Sequence, residues 1–139
     1  METRVVYWDT STLLSALFNE ERSDEARRLA SSAGLHLLSS LAWAELHAAL
    51  ARAIREQHFP AVLVDATETA VGSGPWRHVR AVPAPNLSRA IARRWPLRGA
   101  DLWHLALAKT LQTELPEIAF ATFDKKLAEA AAGEGLPTP

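Results

Sequence analysis

The sequence contains no cysteine, which excludes disulfides, thiolate zinc sites and a cysteine nucleophile. No apolar run approaches the roughly 20 residues that span a bilayer. The opening Met1-Glu2-Thr3-Arg4-Val5-Val6-Tyr7 lacks the basic segment and long apolar stretch of a secretory signal. These absences together point to a cytoplasmic protein with no membrane association. Internal repeats, low-complexity segments and linkers are also missing. Charge of one sign is not in excess, since 15 basic and 16 acidic residues leave a net charge of -1, so the average gives no sign of nucleic-acid binding. Acidic residues are absent locally, however: Thr69 to Ala100 has no Asp or Glu but carries Arg77, Arg80, Arg89, Arg93, Arg94 and Arg98. That stretch is either a solvated face whose arginine stems cover apolar surface or a phosphate-binding patch.

What is present is globular. With 48% hydrophobic and 22% charged residues in 139 positions, one domain over residues 1–139 can bury a core. Val5-Val6-Tyr7-Trp8 is a β-branched and aromatic run that stops at Asp9-Thr10-Ser11, a strand followed by a helix cap. Leu13, Leu14, Leu17 and Phe18 recur at helical spacing, and a second, charged helix runs through Ala26, Leu29 and Ala30 to Gly34. Leu35 to Ser39 reads as a strand. Leu41 to Arg55 reads as a mostly buried helix, with Trp43, Leu46, Leu50 and Ile54 in one stripe. Another helix is expected from Pro60 to Val71, a strand from Trp76 to Val82 and a helix from Asn86 to Trp95. A helix opening at Asp101, a strand over Ile118 to Thr122 and a last helix from Asp124 complete the pattern. Strands separated by helices imply an α/β fold, with a parallel sheet covered on both faces.

In such sheets the ligand crevice lies beyond the carboxyl ends of the strands. Asp9 and Asp124 follow strands, although each is also a natural helix cap, as is Asp101. Glu45 sits on a helix with little other polarity, where an unpaired carboxylate is costly. It needs either an ion-pair partner such as Arg52 or Arg98, or a metal or catalytic role. Four carboxylates gathered in one crevice repel each other. Oxygen-only ligands without cysteine or paired histidines favour Mg²⁺ or Mn²⁺ over Zn²⁺, and such a site suits phosphate chemistry.

Four fragments carry a family resemblance. They are Trp8-Asp9-Thr10-Ser11-Thr12-Leu13-Leu14, Ala44-Glu45-Leu46, Leu97-Arg98-Gly99-Ala100-Asp101-Leu102-Trp103-His104-Leu105-Ala106, and Ala121-Thr122-Phe123-Asp124-Lys125-Lys126-Leu127-Ala128. Their order and spacing through nearly the whole chain resemble PIN-domain ribonucleases, most of all the VapC-type toxins of bacterial toxin-antitoxin pairs. The resemblance implies a three-layer α/β/α sandwich around a mostly parallel sheet of four to five strands. It implies that Asp9, Glu45, Asp101 and Asp124 hold one or two Mg²⁺ or Mn²⁺ ions, and that water hydrolyses an RNA phosphodiester. It also implies a VapB-like antitoxin and a homodimer, with the apolar helices between Leu13 and Ile54 as the covered surface.

Some positions depart from the family pattern. Residues 57–95 carry none of its motifs, Glu56 is a poorer substitute for Glu45, and Leu136-Pro137-Thr138-Pro139 leaves little room for the usual last strand. Ser11 and Thr122 lie beside the acids, where a hydroxyl either orients a carboxylate or caps a helix. His104 shares a helical face with Asp101, where it either supports the ligands or stands as a satisfied structural histidine, with the structural reading favoured. His36, His47, His58 and His78 show no metal spacing. Trp8, Trp43 and Trp103 read as core, while Trp76 and Trp95 beside the arginines favour packing over base stacking. The competing functions are a PIN-fold binding protein without catalysis and a PIN nuclease of RNA processing. A haloacid-dehalogenase site would need a second Asp where Ser11 stands, and no Asp and Lys pair suits a response-regulator receiver.

Overall fold

The computed structural model describes residues 4–56 and 59–139; His58, to which the sequence assigns no role, lies outside them. The elements are β1 (Val5–Trp8), α1 (Thr10–Leu17), α2 (Ser23–Ser31), β2 (Leu35–Ser39), α3 (Ser40–Arg55), α4 (Ala61–Ser73), β3 (Trp76–Val79), α5 (Pro85–Arg94), α6 (Gly99–Gln112), β4 (Ala119–Ala121) and α7 (Lys125–Gly133). The four strands are all parallel, in the order β3-β2-β1-β4, so helices make every crossover.

All four residues of β1 are buried, which explains why its sequence is a continuous apolar run with no polar alternation. Val5 and Tyr7, with Leu37 and Phe120, pack against Ile91 of α5, Leu105 of α6 and Leu127 of α7. Val6 and Trp8 face the other way, onto Ala26 of α2. On that same side Leu38 joins Leu13, Leu46, Leu50 and Val64 from α1, α3 and α4. The result is a three-layer α/β/α sandwich. Within the Trp8 layer His36 is 1% exposed and is satisfied at both ring nitrogens, by Trp8 Nε1 at 3.0 Å and the Ser32 carbonyl at 2.9 Å. Gly34 lets β2 start against β1, because its φ of 137° lies in the glycine region and a Cβ there would stand 2.5 Å from the Arg4 carbonyl oxygen.

Two expectations need correction. The α3 helix is not mostly buried: only Ala42, Leu46 and Leu50 are fully covered, Trp43 is half-buried and Ile54 is 41% exposed. Exposed Ala44 and Ala48 reflect alanine's high helix propensity rather than burial. The third strand ends at Val79, short of Val82, since β3 is an edge strand and Pro83 has no N–H for a ladder. The sheet has four strands among the described residues, within the four to five expected. The tail runs back past β4 with one bond, from Phe120 N–H to the Pro137 carbonyl at 2.8 Å, and Pro137 and Pro139 cannot donate to extend it.

Candidate active site

In the order β3-β2-β1-β4 the chain reverses direction between β1 and β4, and a parallel sheet opens its ligand crevice at such a switch point. Asp9 follows β1 and its N–H bonds the Ala121 carbonyl of β4 at 3.1 Å; Asp124 follows β4. The crevice is bounded by Glu45 from α3 and Asp101 from α6. A cleft of ≈ 270 Å³ is lined by Asp9, Thr10, Ser11, Leu14, Glu45, Ala100, Asp101, His104 and Asp124, so the four acids singled out in the sequence meet in one place. Glu56 is the C-cap of α3 and lines no part of that cleft. A hollow of ≈ 290 Å³ beside α2 has Arg4 and Arg28 facing Glu25, a mixed lining with no cluster of one charge.

Asp9 and Asp124 do cap helices, and capping leaves each of them an oxygen. Asp9 Oδ1 accepts from Ser11 Oγ at 2.8 Å, Thr12 N–H at 2.9 Å and Thr12 Oγ1 at 2.9 Å. Asp124 Oδ1 accepts from Leu127 N–H at 3.0 Å. No described residue donates to either Oδ2. Asp101 is not a cap: Arg98 holds that position in α6, and Asp101 lies in the first turn. Its carboxylate receives no hydrogen bond and no ion pair from the described residues. Desolvation pushes its pKa up, and the charges of Asp124, Asp9 and Glu45 push it further.

Glu45 departs from its expected surroundings. Its side chain is 39% exposed and stands at the rim, paired with neither Arg52 nor Arg98. Thr10 Oγ1 donates to its Oε1 at 2.6 Å, and His104 Nε2 lies 3.4 Å from the same oxygen. The histidine hydrogen bond, then the threonine hydroxyl, hold its carboxyl below the usual range despite partial burial. The cleft thus contains one carboxylate stabilised as an anion by donors and another, Asp101, strained by its neighbours.

The donor set suits a hard divalent cation. It is oxygen-only, rich in negative charge and includes an unpartnered, partly desolvated carboxylate, whose repulsion such a cation would relieve. Among the described residues no three carboxylate or imidazole groups close on a common point; the acids line the cleft without forming a finished shell.

Ser11 binds the Asp9 carboxylate, as expected of an orienting hydroxyl. Thr122 does not reach an acidic side chain; its Oγ1 accepts the Asp124 N–H at 3.1 Å, which is turn capping. His104 is satisfied and 2% exposed, yet it also lines the cleft. Thr10 and Tyr7 escaped notice in the sequence. Thr10 reads as an ordinary residue of a capping turn, while Tyr7, the chain's one tyrosine, reads as core. The available signal was strand parity, which puts Tyr7 on the same side of the extended chain as Asp9.

The arginine stretch is dispersed. Arg94 binds Glu134 through two bonds, at 2.8 and 2.7 Å. Arg77, Arg80, Arg89, Arg93 and Arg98 are exposed and have no ion-pair partner among the described residues. Arg98 and Lys126 line a recess shared with Asp101 and Asp124. Trp95 and Trp76 both pack, Trp95 bonding Glu134 through Nε1 at 2.7 Å and Trp76 meeting Trp8 edge-on at 5.5 Å. No described helix is long and apolar enough to cross a membrane.

Comparison with curated proteins finds no significant relative. Among solved structures, the chain is similar to a Mycobacterium tuberculosis toxin, VapC20, described as cleaving the sarcin-ricin loop. The TM-score is 0.59 at 16% identity, covering 90% of this chain and 94% of that one. At that identity the likeness concerns the fold. The PIN domain profile matches residues 6–133, a span containing all four acids of the cleft and every element but the first residue of β1, and the chain belongs to the PIN domain family.

Proposed function

We propose that this protein is a divalent-metal-dependent endoribonuclease and the toxin of a type II toxin-antitoxin pair. The observation that carries the reading is the meeting of Asp9, Glu45, Asp101 and Asp124 in one cleft, with Asp101 unpartnered among the described residues and its pKa raised first by desolvation and then by the neighbouring acids. A binding scaffold gains nothing from such repulsion, because each unpaired carboxylate costs stability. Family membership supports a nuclease, and the neighbour's fold supports the toxin branch.

Asp9, Glu45, Asp101 and Asp124 would hold the cation, Mg²⁺ or Mn²⁺. When bound, it polarises a phosphoryl oxygen and offsets charge on the leaving oxygen. The chain's own contribution is positioning. Ser11 and Thr12 fix Asp9, the α7 N-terminus fixes Asp124, and Thr10 and His104 fix Glu45. Arg98 and Lys126, beside Asp101 and Asp124, are placed to accept RNA phosphates. Ile54, Val62 and Leu63 are 41%, 71% and 44% exposed, and this apolar end of α3 and start of α4 supports coverage by a second copy or by the antitoxin.

The test is cleavage of labelled total RNA and of intact ribosomes by wild type, Asp9→Asn and Asp101→Asn, with Mg²⁺, Mn²⁺ or EDTA. Antitoxin carry-over is checked by mass spectrometry. Discrete metal-dependent fragments from wild type alone are expected. No cleavage by antitoxin-free wild type with either metal overturns the nuclease reading in favour of a binding protein.

A further inference from the structure

Behind Glu45 lies a chain of polar groups drawn from four elements. Tyr7 of β1 stacks on Phe120 at 5.4 Å and is fully buried. Its hydroxyl lies 2.8 Å from His104 Nδ1 on α6. His104 Nε2 lies 3.1 Å from Thr10 Oγ1 on α1 and 3.4 Å from Glu45 Oε1 on α3.

For a neutral imidazole, counting protons leaves one arrangement. An ionised carboxylate only accepts, so the single Thr10 hydroxyl proton lies on the 2.6 Å contact to Glu45. His104 Nε2, facing the remaining lone pair of Thr10 and the same carboxylate oxygen, must then donate. Nδ1 is left as an acceptor, which the Tyr7 proton fills. Every donor points the same way, from Tyr7 through His104 and Thr10 to Glu45. A buried chain aligned in this manner is mutually strengthening. Burial also raises the Tyr7 pKa, so the tyrosine keeps the proton it donates. The bonds fall on Glu45 Oε1, and no described residue donates to Oε2. This repeats the arrangement at Asp9 and Asp124, where the protein occupies one oxygen and leaves the other.

We infer that His104 is a positioning residue which, backed by Tyr7, holds the Glu45 carboxylate at the rim of the cleft with one oxygen engaged and the other open to a divalent cation. The inference rests on the reading of the four acids as cation ligands. It goes beyond a merely satisfied core histidine, because a packing role requires neither a defined tautomer nor any effect on cation affinity.

Two measurements on the purified, metal-stripped protein test it. Long-range proton-nitrogen NMR of wild type reads the His104 tautomer, and the expected result is a protonated Nε2 with a bare Nδ1; protonation at Nδ1 alone overturns the chain. Calorimetric titration with Mn²⁺ compares wild type, His104→Leu, His104→Gln and Tyr7→Phe. His104→Leu should weaken binding about tenfold or more, the usual scale for groups that orient a ligand. His104→Gln, whose carboxamide nitrogen replaces the Nε2 donor, should return to within about threefold of wild type. Tyr7→Phe, which removes one hydroxyl and preserves the ring, should fall between them, and it carries the comparison with His104→Gln if His104→Leu does not fold. Equal Mn²⁺ affinity in wild type and His104→Leu, or in wild type and Tyr7→Phe where His104→Leu does not fold, overturns this inference alone. A wild type that binds no Mn²⁺ overturns the ligand reading and this inference with it.

Discussion

Glu134 and Asp101 are both poorly solvated carboxylates near helix ends, and the protein treats them in opposite ways. Glu134 follows α7 with a side chain only 7% exposed. Arg94 and the Trp95 indole both donate to it, and the arginine bonds, chiefly, hold its pKa below the ordinary 4.5. Asp101 has no donor among the described residues and sits against three other acids, and its pKa lies above the ordinary 3.8. Cations are at hand, since Arg98 and Lys126 line the adjoining recess, yet neither forms an ion pair with Asp101. Where a carboxylate serves the fold, the chain supplies donors; at Asp101 it withholds them, which costs stability and leaves a site that a divalent ion can fill.

The largest effects should follow from attacking the unpaired side of this contrast. Asp9→Asn and Asp101→Asn should each reduce Mn²⁺ affinity and RNA cleavage by about 100-fold or more. Their metal-free stabilities should separate them. Because the Asp101 pKa is raised in the folded chain, wild type loses stability as pH rises through that value. Asp101→Asn removes the loss, so its metal-free melting point at pH 7 should exceed wild type by about 1–3 °C, the gap closing as pH falls toward 3.8. Asp9→Asn should melt lower than wild type, since Ser11 and two donors of Thr12 converge on its Oδ1. Thermal denaturation of both variants from pH 3.5 to 8 checks the opposite signs. An Asp101→Asn variant that melts below wild type at neutral pH contradicts the contrast.

The paired side should show the reverse signature, smaller and without effect on the site. Glu134→Gln removes the acceptor charge that ties α5 to α7 and should lower the melting point by a few degrees, screening by solvent at the exposed Arg94 limiting the loss, with Mn²⁺ affinity unchanged. With its pKa lowered, Glu134 contributes fully above 4.5, and that contribution fades as pH falls through the folded-state value. The difference from wild type should therefore be largest near neutrality and shrink in acid. Gly133→Ala tests the same joint by sterics, since a Cβ there runs into the Trp95 ring, and should destabilise comparably.

How much of this could be read from the chain follows from the range of each signal. β1, β2 and the capping aspartates Asp9 and Asp124 were legible because a buried run followed by a cap is local information. The four acids were legible together because each sits in a family fragment and the topology of a parallel sheet brings strand ends to one crevice. Burial of α3 was misjudged because Ala44 and Ala48 are apolar by propensity, and their exposure depends on α3 packing on one side only. The Tyr7-His104-Thr10 chain was illegible for a different reason. His104 stands 97 and 94 residues from Tyr7 and Thr10, and hydrogen bonds at that separation leave no periodic trace. Asp101 looked like a cap because helix starts are uncertain by a residue or two, and in this chain Arg98 takes the position.

The smallest effects concern the arginines, and they decide between the two readings of the acid-free stretch. Arg98 lies within the recess beside the acids, whereas Arg77 is on the edge strand β3 and Arg89 on the exposed side of α5. A charge on an edge strand has its own purpose, discouraging strand addition by another chain. If only cations near the cleft meet RNA, Arg98→Gln and Lys126→Gln should each raise KM by about three- to tenfold at constant kcat. Each should also reduce the slope of log affinity against log salt by about one. Arg77→Gln and Arg89→Gln should change KM by less than about twofold. Equal losses at all four positions would instead mean that RNA runs along the whole stretch, from β3 across α5 to the start of α6. The salt slope distinguishes these cases even where single KM changes are small, because it counts phosphate contacts directly.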